Sequence, residues 1–127
     1  MPRAVLLHHE LPDGTSHFDW LLERVGGEQE GRCPTWRVSE RIDRGDAGRF
    51  SAERLPDHRT FYLTHEGPVS GGRGEVMRVA SGVVREMHEA PEMVTAVVAW
   101  DTGATVAYRG EPTGDGQTWV FRATPTD

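Results

Sequence analysis

The sequence predicts an all-β fold, a small closed or nearly closed antiparallel β-barrel of about eight strands with little helix. Three observations carry the prediction. Short runs rich in β-branched and aromatic residues recur along the chain, clusters of Gly, Pro, Asp and Thr punctuate them, and no stretch shows a strong amphipathic-helix period. A closed ring of short strands also removes exposed sheet edges.

Residues 3–9 (Arg-Ala-Val-Leu-Leu-His-His) read as the first strand, and Leu11-Pro12-Asp13-Gly14 supplies a turn. The second strand starts near His17, where alternation puts His17, Asp19, Leu21 and Glu23 on one face and Phe18, Trp20, Leu22 and Arg24 on the other. A polar loop at 26–31 precedes a short strand over 35–38. Residues 39–54 read as charged and irregular, with room for a helical turn at 51–55 or 81–90, and 59–64 (Arg-Thr-Phe-Tyr-Leu-Thr) read as a strand closed by Glu66-Gly67-Pro68 and the glycines at 71, 72 and 74. Residues 75–79 and 82–87 read as a hairpin pair, and 94–100, 104–108 and 118–122 as three closing strands.

A chain of 127 residues suits one domain spanning 1–127. The single cysteine, Cys33, has no internal disulfide partner, and the N-terminal residues lack a basic region followed by an apolar run, so a cytoplasmic protein is expected. No apolar run approaches the roughly 20 residues a spanning helix needs, so no membrane segment is expected. The net charge of −6 argues against a broad nucleic-acid surface driven by counterion release, though not against a local basic patch. All 14 basic side chains are arginine, which suits bidentate phosphate contact.

Two residues apart on one strand, His17 and Asp19 leave the same face, and His9 ends the neighbouring strand. Two imidazoles and a carboxylate form a ligand set for Mn²⁺, Fe²⁺ or Zn²⁺. The same residues in a hairpin also make an ordinary hydrogen-bonded cluster, and spacing alone does not separate the two. A second group, His58 with Tyr62, could contact phosphate or donate a proton. His8 faces away from His9, His65 and His88 have no ligand-type neighbour at regular spacing, and Cys33 reads as an inert thiol. Trp36, Trp100 and Trp119 read as core or rim aromatics.

The order of these motifs resembles the 3′-phosphoesterase domain family of bacterial DNA ligase D, including its small stand-alone homologues. The likeness covers nearly the whole chain: His9, then His17-Phe18-Asp19-Trp20-Leu21-Leu22-Glu23, a strand with Trp36, Asp57-His58 with Tyr62 four residues on, and Glu66-Gly67 before a glycine-rich turn. The resemblance implies a divalent metal, typically Mn²⁺, on His9, His17 and Asp19, with His58 and Tyr62 at the scissile phosphate. It implies hydrolysis of a 3′-phosphate or a 3′-terminal ribonucleotide linkage at nucleic-acid ends in DNA repair, with a repair ligase as a possible partner. The loop after His9 is two residues longer than the usual pattern, and the family's N-terminal segment has no counterpart here. Leu21 stands where the family carries a phosphate-contacting arginine. Arg49, Arg54 and Arg73 are the candidates to replace it. An alternative is a nucleic-acid-end binding module that keeps the metal and phosphate pocket without turnover.

Overall fold

The computed structural model describes residues 1–24 and 30–126, so the expected polar loop at 26–31 lies, over 26–29, outside the described residues. Among the described residues nine strands form one antiparallel sheet: β1 (Arg3–Glu10), β2 (Ser16–Leu22), β3 (Arg32–Val38), β4 (Arg49–Arg59), β5 (Gly67–Pro68), β6 (Glu75–Ala90), β7 (Met93–Trp100), β8 (Thr105–Pro112) and β9 (Thr118–Thr126). Their order is β1-β2-β3-β4-β9-β8-β7-β6-β5, and an added β1–β6 pairing closes eight of them into a ring. The all-β, nearly closed expectation therefore holds. Among the described residues no helix is long and apolar enough to cross a membrane.

Two long strands join the ring's halves. β4 pairs with β9 through Arg49–Glu53 and with β3 through Glu53–Arg59, while β6 pairs with β1 through its first half and with β7 through its second. Here the expectations need correcting. Residues 75–87 are one strand rather than a hairpin, because Ala80-Ser81-Gly82 continues the ladder with β1 and Gly82 already pairs with β7. The expected irregular stretch ends at Gly48, and the helical turns placed at 51–55 and 81–90 are strand. The strand expected over 59–64 is instead a 3₁₀ turn at Thr60–Leu63, which brings Leu63 down onto the sheet.

Alternation in the ring strands produces two apolar clusters. The enclosed one draws on all eight strands: Trp20 packs on Tyr108 with ring centroids 4.6 Å apart, and Phe50 stacks on Phe121 at 5.5 Å. Segment 39–48 contributes Ile42 to this interior, where its carbonyl accepts the Tyr108 hydroxyl and Trp100 Nε1 donates to the same hydroxyl at 2.8 Å. All four tryptophans are buried, as core aromatics should be.

The second cluster lies on the outer face of β1, β2 and β3. Val5, Leu7, Leu21 and Cys33 are covered there by Leu63 and Val76, with Tyr62 and Val69 packed against them. The 3₁₀ turn and the chain leading into β6 therefore roof the outer face. This accounts for the unbroken apolar run Ala4-Val5-Leu6-Leu7, which is buried on both sides. The open end of the roofed face carries the polar residues.

Candidate metal centre

The register of β1 against β2 sets His9 opposite His17 and Leu7 opposite Asp19. Side chains two apart on a strand share a face, so His9, His17 and Asp19 converge just beyond the apolar cluster. One ligand atom from each lies within 4.8 Å of the others. His17 and Asp19 are buried and His9 is partly exposed.

Two features fit this set to a cation. First, His9 Nε2 lies 2.7 Å from the Arg73 carbonyl, which can only accept, so Nε2 carries a proton and donates it. In the neutral ring Nδ1 then presents its lone pair to Asp19 Oδ2 at 3.0 Å. That contact is favourable only with positive charge in it, a proton on Nδ1 or a cation held by both groups. A backbone carbonyl fixing the far nitrogen is also the usual support for a metal-ligating histidine. Second, His17 Nε2 and Asp19 Oδ1 lie 3.0 Å apart, yet both are buried and neither has an aligned hydrogen-bond partner. Buried polar atoms without partners are uncommon, and each costs about 1–3 kcal/mol. Burial alone would raise the Asp19 carboxyl, but His17 beside it, with His9 and His58, holds it below the ordinary carboxylate value.

The roof supplies the second group. β4 carries one more residue than β3 between Cys33↔His58 and Thr35↔Leu55, a bulge at Pro56–Asp57, where proline has no N–H to give the ladder. The bulge switches parity, so Leu55 and His58 both face the groove. His58 Nδ1 donates to the Pro56 carbonyl at 3.0 Å, leaving Nε2 for other chemistry, and the His58 and Tyr62 rings meet edge to face at 5.6 Å. His9, Asp19, Leu55, His58 and Arg73 are common to two adjoining cavities of about 350 and 540 Å³, and Tyr62 lines the first. The five expected metal and phosphate residues thus share one groove.

The three proposed arginine substitutes divide. Arg73 lines the groove, its Nε donating to the Ser70 carbonyl at 2.7 Å. Arg54 is not a lining residue: its guanidinium stacks 4.5 Å over Trp36 and approaches Asp57 and Glu89, because Arg54 pairs with Trp36 on the opposite face. Arg49 belongs to another surface, the outer face of β4, β9 and β8, beside Arg109 and Arg122. Leu21 is fully buried in the outer apolar cluster.

The residue that sequence reasoning missed is Arg37. It stands directly across from Asp19 on β3, lines the groove with His17 and His58, and has its Nε buried without a partner. Its face was readable from Trp36 being a core residue. The β2–β3 register that sets it beside Asp19 was not. His8 packs edge to face on Phe18, His65 stacks on Phe61 and donates to the Pro68 carbonyl, and His88 is exposed, so none of these joins the centre. No protein-family model matches the chain, and no curated protein matches it.

Proposed function

We propose that the chain is a divalent-metal-dependent phosphoesterase that removes a phosphoryl group from the 3′ end of a nucleic acid, in DNA repair. One observation carries the reading: a His9/His17/Asp19 ligand set, with His17 Nε2 and Asp19 Oδ1 buried 3.0 Å apart without an aligned hydrogen bond, opens into the groove that also holds His58 and Tyr62. The motif order shared with the ligase D 3′-phosphoesterases supports the substrate class, and Mn²⁺ is the expected ion. A repair ligase is the corresponding partner.

When bound, the ion supplies a Lewis acid for a phosphoryl oxygen and for the attacking water. His58, with Nδ1–H fixed on the Pro56 carbonyl, is poised to protonate the leaving 3′ oxygen from Nε2. Tyr62, packed against the apolar cluster over β1–β3, offers its hydroxyl to a phosphoryl oxygen. The reading requires the Mn²⁺-supplemented protein to release inorganic phosphate from a 3′-phosphorylated oligonucleotide. His58→Ala should lower turnover by about 10²–10⁴-fold while leaving Mn²⁺ affinity intact, and His17→Ala should lose both. No turnover with Mn²⁺, Zn²⁺, Mg²⁺ or Fe²⁺ would remove the enzymatic reading.

A second reading, end binding without turnover, is favoured by Leu21, whose apolar enclosure leaves no cation at that position of β2. Binding of a 3′-phosphorylated primer with no product in the same assay would distinguish it.

A further inference from the structure

We propose that Arg37 is the anion-holding residue of the groove and that the group it holds is a phosphomonoester dianion. Only the second half rests on the phosphoesterase reading. Arg37, Arg59 and Arg73 line the groove and, among the described residues, none of the three has a carboxylate within ion-pair distance; of the three, Arg37 is the one with a buried guanidinium nitrogen that has no hydrogen-bond partner. Glu53 faces it from β4, directly opposite in the ladder, without pairing. A guanidinium keeps its charge at any physiological pH, and the Nε of this one is shut off from solvent with no acceptor. Arg37 is thus a fixed, partly buried cation on the face shared with Asp19, lining a groove large enough for a ligand. Its planar fork can hold two oxygens of a phosphoryl group at once.

The charge of the groove sets the ligand class. Its lining side chains include Arg37, Arg59 and Arg73 on one side of the balance and Asp13, Asp19 and Asp57 on the other, which cancel. A divalent ion on His9, His17 and Asp19 then leaves two positive charges. A terminal phosphomonoester, a dianion near neutral pH, balances them; a phosphodiester, a monoanion, does not. Asp57 lies in a self-balanced group with Glu89, Arg24 and Arg54, and Glu53, opposite Arg37, takes its place in the count, so the groove without the ion stays at zero.

Calorimetric titration of inorganic phosphate into the full chain, with and without Mn²⁺, tests this. Phosphate should bind the wild type, and Arg37→Ala should weaken it about tenfold to a hundredfold in both conditions. Arg37→Lys should recover part of the loss, and Arg122→Ala, on the outer face of β9, should stay within about twofold of wild type. Dimethyl phosphate, a monoanion, should bind the Mn²⁺-loaded wild type at least about tenfold more weakly than phosphate. Circular dichroism checks the fold, and Arg37→Lys is read in place of Arg37→Ala if the latter does not fold. Unchanged phosphate affinity in the Arg37 variant, or no phosphate uptake by the wild type, overturns the assignment; equal binding of dimethyl phosphate overturns the dianion class. The oligonucleotide assay run in parallel separates the two readings. Arg37-dependent phosphate binding without turnover keeps Arg37 and removes the phosphoesterase, whereas turnover with unchanged kcat and KM in Arg37→Ala does the reverse.

Discussion

Cys33 sits in the apolar cluster beneath the 3₁₀ turn, and burial pushes its thiol up to about 11. A thiol-specific reagent at pH 8 should leave the native protein unmodified and label one site per chain once urea unfolds it; rapid native labelling would show that the roof opens readily. Asp43, fully buried in segment 39–48, behaves differently. Burial alone would raise its carboxyl, but Arg41, bonding both oxygens at 2.8 and 2.9 Å, and Thr102 hold it below the ordinary 3.8. Because the folded value is the lower one, its contribution to stability is full above about pH 4 and is lost as pH falls through the folded value. Asp43→Asn should therefore cost about 1–3 kcal/mol at pH 7 and flatten the acid limb of stability against pH, read from urea midpoints between pH 7 and 3.

At the scale of elements, the glycine turn before β6 acts on the metal centre. Gly74 has φ +93°, and a Cβ there would collide with the Glu10 carbonyl where the turn crosses the end of β1. That close approach brings the neighbouring Arg73 carbonyl to His9 Nε2. Gly74→Ala should destabilise the fold by about 1–3 kcal/mol and also weaken Mn²⁺ binding. Gly110→Ala, which drives a Cβ into the Phe121 ring inside the ring core, should lose similar stability without that specific effect on the metal. Calorimetric Mn²⁺ titrations of both folded variants make the comparison. The bulge at Pro56–Asp57 is the matching device on the other wall. Without its extra residue His58 would face the ring interior rather than the groove.

Across the whole molecule, what the sequence reveals is what depends on local period and turn chemistry. The β1–β2 hairpin follows from Pro12-Asp13-Gly14, and residues two apart on a strand share a face, so the grouping of His9, His17 and Asp19 is legible in the sequence itself. β4 and β6 could not be read in the same way, because each passes from one half of the ring to the other. Bulges near Pro56, Val79 and Arg85 break the two-residue period that would reveal them. Tyr62 reaches the groove from a 3₁₀ turn rather than a strand, and Arg37 enters it through a long-range register that no local pattern encodes. The roof over β1–β3 left one trace, the unbroken apolar run at 4–7. The proposed hydrolysis depends on whether the ligand set at the open end of that roof holds an ion. The direct measurement is calorimetric titration of Mn²⁺ into metal-stripped wild type, His17→Ala and Asp19→Ala at pH 7. One equivalent bound by the wild type and none by either folded variant is the result predicted here, and no binding by the wild type, or unchanged binding in the variants, would contradict it.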